Sequence, residues 1–395
     1  MANQDRVLIA GAGPVGMVAA ANLARRGVPV TVLEANASLS DESRASTFHP
    51  PTLDMLHDLG AAEPLIAQGL MAPQFQYRTK RAGLIAQFDF AAIADATAHP
   101  FRLQCEQSKL TRILLERLRG NENFEIVFSS PVVGVTQTDT GVEVMVTRNG
   151  RTEVERARWV IGADGARSET RDALGIEFEG FTWPERFLVV STPFDFHSVF
   201  DDLVCVNYVA DPQRWHFFLQ IPGLWRIMFP IAADESDALA LSEDFAQSLM
   251  GTLVPGLDRY EIAHTTLYRV HQRVAKSFRN GRAFLIGDAA HINNPLGGMG
   301  MNGGIHDAIN LTDRLAEVWH GGKNESELDR FEKQRRLVTK EYVEKQSIQN
   351  KKNLETPGTE FRDRLVEIAS DDAKTRDYLL GVSMIKSLER AKELG

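Results

Sequence analysis

Between Val7 and Glu34 the chain runs strand, glycine turn, helix, strand, an order that few folds accept. Val7 to Ala10 is a short apolar run, Gly11-Ala-Gly13-Pro14-Val15-Gly16 follows, and Met17 to Arg26 carries helical spacing up to a stop at Gly27. Val30 to Glu34 is the next apolar strand. Two strands joined through a helix require a parallel sheet and a right-handed crossover, which predicts an α/β core. Each glycine has its own task. Gly11 permits the tight turn, Gly13 lets the backbone approach a pyrophosphate, and Gly16 allows the helix to pack closely on the strand. The helix N-terminus offers N–H groups and positive dipole to phosphates, and Glu34 is placed to accept from ribose hydroxyls. The pattern predicts a dinucleotide site built on Gly11, Gly13, Pro14, Val15, Gly16, Glu34 and Ala35.

With 395 residues, the chain is long enough for two or three lobes. Lys and Arg total 44 against 53 Asp and Glu, and no basic run could track a phosphate backbone, so nucleic acid is not an expected partner. Cys105 and Cys205 are the only cysteines, which excludes a disulfide framework and a cysteine-rich zinc site and fits a reducing, cytoplasmic setting. No His, Asp or Glu spacing suggests a metal. The apolar stretch from Val7 to Ala24 follows Asp5 and is broken by glycines, so it reads as strand and helix rather than a leader. No run of about 18 apolar residues occurs elsewhere, and no membrane span is expected.

Further along, Val142 to Val146 and Thr152 to Val160 alternate around Asn149-Gly150, predicting a hairpin. From Phe181 to Tyr268 the texture is that of an aromatic-rich sheet, with strands at Leu203–Val209, Trp215–Ile221 and Leu224–Ile231. Ala283 to Asp288 returns to a buried strand, and Ile305 to Trp319 reads as a helix. The charged residues from Glu325 to Lys352 read as a solvated helix face, with a break at Pro357-Gly358. We expect a discontinuous nucleotide domain over 1–72, 97–180 and 266–320, a sheet lobe over 73–96 and 181–265, and a helical segment over 321–395.

Two more turns carry chemistry: Gly162-Ala-Asp164-Gly165-Ala-Arg167-Ser168 leading to Arg171, and Gly287-Asp288-Ala-Ala-His291 followed by Asn294-Pro295-Leu-Gly297-Gly298-Met-Gly300-Met301-Asn302. Alone, each is an ordinary strand-to-loop turn. In this order, behind the first motif, they resemble the class A flavoprotein aromatic hydroxylases of the para-hydroxybenzoate hydroxylase type, over residues 5 to 320. The resemblance implies an α/β fold with a Rossmann-like FAD-binding domain interleaved with a β-sheet substrate lobe, followed by C-terminal helices. It implies FAD on the first motif, the ribityl chain on Gly287 and Asp288, and FAD together with the nicotinamide nucleotide at Asp164 and Gly165. Arg44 and Gln107 match family positions near the flavin. There is no second Gly-x-Gly-x-x-Gly, and the resemblance gives NADH or NADPH no separate domain. Longer members carry a thioredoxin-like domain that is not expected in the residues after Gly321.

The glycine run has a reading of its own. Reduced flavin is anionic at one edge, and a helix starting near Asn302 aims the Met301 and Asn302 backbone N–H groups at that charge. Pro295, Gly297, Gly298 and Gly300 leave room for oxygen and substrate at the ring. In the sheet lobe Tyr208, His216, Phe218, Gln220 and Met228 alternate on strands that could floor a pocket. Arg226 sits in an apolar strand, either contacting flavin or an anionic substrate, or bridging the lobes. His49 and His291 adjoin motifs and read as structural. The resemblance implies an NAD(P)H-driven monooxygenase that hydroxylates a small activated aromatic or heteroaromatic compound with O2 through a flavin C4a-hydroperoxide, in the breakdown of aromatic compounds. A flavin-linked dehydrogenase or reductase and a non-catalytic flavin-binding redox sensor stay open. A halogenase is disfavoured, since Trp225-Arg-Ile-Met-Phe-Pro230 lacks the Trp-x-Trp-x-Ile-Pro pattern. NADH versus NADPH and oligomeric state, a homodimer included, stay open.

Overall fold

The computed structural model describes residues 4–41, 45–80, 83–211, 213–254, 256–257, 259–355 and 359–394. Arg44 and the Pro357-Gly358 break lie outside the described residues. Val7–Ala10 lies inside a six-stranded sheet ordered 279–280, 283–285, 159–162, 7–10, 30–33, 124–127. Its neighbours run parallel except the first pair. Every residue of Val7–Ala10, Val30–Leu33 and Trp159–Gly162 is buried, so these strands appear as unbroken apolar runs rather than alternations. The helix Pro14–Arg25 starts from Gly13 as N-cap, with Pro14 in the first turn, where a missing N–H breaks no helical bond.

The second sheet has eight strands ordered 291–292, 264–275, 178–192, 224–231, 216–221, 206–210, 74–79, 83–89. Both faces are covered. The inner face, with Phe75, Tyr77, Tyr208, Leu219 and Met228, packs on Leu296 and on the C-terminal helices through Leu354, Leu365 and Leu379. The outer face, with Val209, Phe218, Trp225 and Phe229, packs on the helix Glu243–Gly251. A small sheet of Thr47–Phe48, Arg102–Gln104 and Leu70–Ala72 lies between the lobes in sequence.

Three expectations change. The second hairpin strand stops at Ala157, and Trp159–Gly162 leaves it for the parallel sheet, because Val142 pairs with Ala157 while Val160 pairs with Leu8 and Ala283. The long helix begins at Met299 rather than near Asn302 and carries Gly300, Gly303 and Gly304 within it. Gly304 is required there, since a Cβ would stand 2.7 Å from Val15 Cγ2 and 2.9 Å from Gly287 Cα. The charged C-terminal stretch is no simple solvated face: Gln334, Arg335, Ser347, Asn350 and Lys351 are buried.

Candidate functional site

The three motifs converge at the strand ends of the parallel sheet. A Cβ on Gly11, whose φ is +99°, would meet the Ala163 carbonyl at 2.6 Å, which brings the first motif against the second. Val15 lies against Gly287 and Gly304, joining the first to the third. Arg171 donates to the Ala166 and Ala289 carbonyls at 3.2 and 3.3 Å and stacks over Phe178, joining the second to the third.

This cradle fits a dinucleotide. A Cβ on Gly16 would stand 2.1 Å from the Gly11 oxygen, whereas one on Gly13 or Gly165 would meet nothing within 4 Å. The first glycine is thus needed for packing, and the other two line open faces where backbone can approach a ligand. Glu34 is buried, its Oε2 accepting from Ala12 N–H at 2.7 Å and its Oε1 from Asn36 N–H at 2.9 Å. Oε1 also accepts from Asn36 Nδ2 at 2.7 Å, and with about four acceptor sites on a carboxylate, room for one ribose hydroxyl remains. Ala35 and Asp288 are exposed beside this cradle, and Gln107, half-buried, opens the helix Gln107–Leu118. The Asp164 carboxylate is engaged within its own loop by Ser168 Oγ at 2.5 Å and by Thr170 N–H and Oγ1 at 2.9 Å, so its side chain shapes the turn.

The glycine turn ahead of the long helix is held from both sides. Gly297 and Gly298 have φ of +101° and +66°, and Gly298 N–H donates to the Pro295 carbonyl at 3.0 Å, with Pro295 itself exposed. His49 Nε2 donates to the Gly297 carbonyl at 2.7 Å. Burial, with the nearby Arg102 charge, holds His49 well below the usual histidine range, so it is neutral. Asn350 Nδ2 donates to the Leu296 carbonyl at 3.3 Å from the C-terminal side.

With Gly298 as N-cap, the N–H groups of Met299, Gly300 and Met301 have no acceptor within the helix, while Asn302 N–H begins the helical ladder. Of the pair expected to face an anion, Met301 lies among these first N–H groups and Asn302 stands one position beyond them. The Asn302 side chain is instead a staple, accepting from His49 N–H at 2.9 Å and donating to the Thr47 and Gly298 carbonyls at 2.8 and 2.6 Å.

The sheet candidates split between faces. Tyr208 and Met228 stand on the inner face, where the rings of Tyr77, Tyr208 and Phe217 stack with centroids 5.1 and 5.3 Å apart. Phe218 is on the outer face, and strand alternation places His216 and Gln220 there too. His216 lies among Phe218 and Phe229, where burial pushes it down to about 4. Arg226 points inward and donates to Ser46 Oγ at 3.3 Å, which places it on the seam between the lobes.

Three inner-face features lay outside the sequence expectation: Phe217, Tyr77 and Arg102. Arg102 carries a signal like that of Arg226, a cation between apolar neighbours, Phe101 and Leu103. His291, read as structural, is buried and bonds to Asp307 at 2.7 Å, a partner with no local signal in the sequence. Among the described residues no group of His, Cys, Asp or Glu could hold a metal, and no helix is long and apolar enough to cross a membrane.

Residues 4–346 match the FAD binding domain family. The chain belongs to that family. It is 35% identical over 394 residues to the para-nitrophenol 4-monooxygenase of Pseudomonas sp. (strain WBC-3), covering 98% of this chain and 97% of that protein. It is also 35% identical over 397 residues to the 6-hydroxy-3-succinoylpyridine 3-monooxygenase HspB of Pseudomonas putida (strain DSM 28022 / S16), covering 96% and 98%. The crystal structure of p-nitrophenol 4-monooxygenase PnpA from Pseudomonas putida DLL-E4 superimposes with a TM-score of 0.91 at 32% identity, covering 99% of both chains. The flavoprotein aromatic hydroxylase resemblance read from the three motifs is borne out by these members of the FAD binding domain family.

Proposed function

We propose that the chain is an NAD(P)H-driven, FAD-dependent monooxygenase that hydroxylates a small phenolic or heteroaromatic ring in the cytoplasm. The observation that carries this reading is the placement of the Tyr77, Tyr208 and Phe217 rings on the inner sheet face, which packs on Leu296 in the glycine turn. Gly11, Gly13, Gly16, Glu34, Gly165, Gly287 and Asp288 would hold the FAD. Bound there, FAD would supply the redox and oxygen-transfer chemistry, with NAD(P)H as the electron source, one atom of O2 going to the ring and the other to water.

The chain's own contribution is binding, orientation and charge. Met299, Gly300 and Met301 N–H groups, at the positive end of the long helix, stabilise negative charge brought to the turn. The aromatic floor holds a planar ring and keeps water from it. His49, neutral and bonded to Gly297, keeps the turn in one conformation without adding a charge. The nitrophenol and hydroxypyridine named for the two relatives both carry a hydroxyl on an aromatic ring, which supports the substrate class. Both cysteines are free thiols, which supports a reducing compartment.

The test is turnover under 18O2 with a panel of phenols and hydroxypyridines, following NADH and NADPH oxidation and product mass. One labelled atom from O2 and none from labelled water is the expected result. Oxidised product without oxygen from O2 would transfer the assignment to a dehydrogenase.

A further inference from the structure

Arg102 leaves the small sheet for the inner face of the large one and is 3% exposed. Its guanidinium carbon lies 4.7 Å from the Phe75 ring centroid and 5.4 Å from that of Phe90, and Nη1 donates to the Tyr208 hydroxyl at a long 3.5 Å. Its Nε is buried with no hydrogen-bond partner among the described residues. Among the other buried cations, Arg335 meets Asp307, Lys351 meets Glu185 and Glu355, Arg78 meets Asp202, Arg186 meets Asp237, and Arg226 bonds to the Ser46 hydroxyl. Arg102 forms no ion pair among the described residues. Ring faces compensate only part of the cost of a buried charge.

Its position fits the chemistry. Arg102 touches Tyr208, the middle ring of the Tyr77–Tyr208–Phe217 stack. Two residues along its strand, Gln104 pairs with Thr47, and a Cβ on Gly298 of the glycine turn would sit 3.1 Å from Thr47 Cβ. A ring lying on the stack with its edge toward Arg102 would thus have the glycine turn nearby. Arg226, in contrast, already bonds to Ser46.

We propose that Arg102 is the counter-ion for an anionic oxygen on the aromatic substrate, a phenolate or a ring carboxylate, laid on the Tyr77, Tyr208 and Phe217 rings. The substrate anion completes the ion pair that the described residues leave open. This assignment rests on the aromatic reading of the site and replaces Arg226 as the anion's partner.

The test uses the FAD-loaded protein and two pairs of probes: 4-nitrophenolate with 4-nitroanisole, and 4-hydroxybenzoate with 4-hydroxybenzamide. Dissociation constants come from the change in flavin absorbance on titration. The unsubstituted protein is expected to prefer the anion of at least one pair, which also distinguishes phenolate from carboxylate. Arg102→Met should weaken that anion by about ten- to a hundredfold and leave its neutral partner within about twofold. Arg102→Lys should keep the preference, and Arg226→Met should not abolish it. Arg102→Gln, which keeps polar contact with Tyr208 but lacks the charge, is measured beside the Met variant in case the latter fails to accumulate with FAD. Retained anion preference in Met or Gln variants with full FAD content would overturn the proposal. So would the absence of any anion preference in the unsubstituted protein. An intact preference with no 18O in the product would end the monooxygenase reading while leaving Arg102 as the anion's partner.

Discussion

Asp307 and Arg335 form a 2.7 Å ion pair with both side chains out of water. The other Asp307 oxygen accepts from His291 Nε2 at 2.7 Å and from Gly287 N–H at 3.2 Å, so the pair sits beneath the Gly287-Asp288 turn. Burial pushes this carboxyl upward, but its interactions with His291 and Arg335 outweigh it and hold Asp307 below the usual carboxylate range. Arg335→Met would leave a buried carboxylate without its cation. We expect a stability loss of about 3–5 kcal/mol by urea unfolding, together with lower FAD content. A loss under about 1 kcal/mol would show that His291 alone satisfies Asp307.

The glycines of the first motif should separate in their effects. Gly16→Ala collides with the Gly11 oxygen and should lower the melting temperature of the FAD-free protein. Gly13→Ala meets open space in the chain, so it should leave that temperature unchanged while weakening FAD. Calorimetry of apoprotein, with FAD titration, tests both; equal destabilisation by the two would refute the division.

Phe217 and Phe218 offer a second contrast. Phe217→Leu should alter KM for the aromatic substrate with FAD content intact, because its ring stacks on Tyr208 on the inner face. Phe218→Leu removes a ring packed on Phe196 and Trp225, so it should cost about 1–2 kcal/mol of stability and leave KM unchanged. The reverse pattern would mean that the faces are misassigned.

Asn302→Ala removes three hydrogen bonds, two that tie the long helix to Thr47 and His49 and one to the Gly298 carbonyl at the start of that helix. Buried groups left unpaired cost about 1–3 kcal/mol each, so the variant should unfold at lower urea and hold FAD less firmly. Full stability with slowed turnover would return Asn302 to a purely chemical role.

His306 gives a signed pH prediction. Burial, helped by the Arg335 charge, pushes it down to about 3, and it is hydrogen-bonded with Thr52 Oγ1 at 3.0 Å. The unfolded chain takes a proton below the ordinary value of 6.5, whereas the folded chain does not. Its contribution is therefore fully present above 6.5 and declines as the pH falls from there toward 3. His306→Gln should make stability fall less steeply between about pH 6.5 and pH 5 in urea unfolding. Parallel curves for variant and parent would assign that slope to other groups.

The glycine motifs were legible because each glycine answers a local demand, a turn at Gly11 or a contact at Gly16, that its immediate neighbours announce. The face of each sheet strand was not. His216 to Ile221 is covered on both sides, so the polar His216 and Gln220 share their face with Phe218 in a packed layer instead of marking a solvent side, and a slip of one position turns Phe217 into Phe218. Arg335 and Lys351 read as surface charge because their carboxylates, Asp307 and Glu185, are distant in sequence. The helix start moved upstream because glycine's poor helix propensity was outweighed by packing, with Gly304 flush against Gly287 and Val15.

The large sheet, with one apolar layer on each face, lets neighbouring residues evolve under different pressures. Within the strands Val206–Ala210, His216–Ile221 and Leu224–Ile231, alternate side chains face the inner layer, where the proposed site lies, and the intervening ones face the helix Glu243–Gly251 behind. Substitutions that broaden or narrow the diet of such an enzyme can therefore accumulate on one side of the strands without eroding the scaffold on the other. The glycine turn, anchored by His49 and Asn350 rather than by those strands, can pass through such changes unaltered.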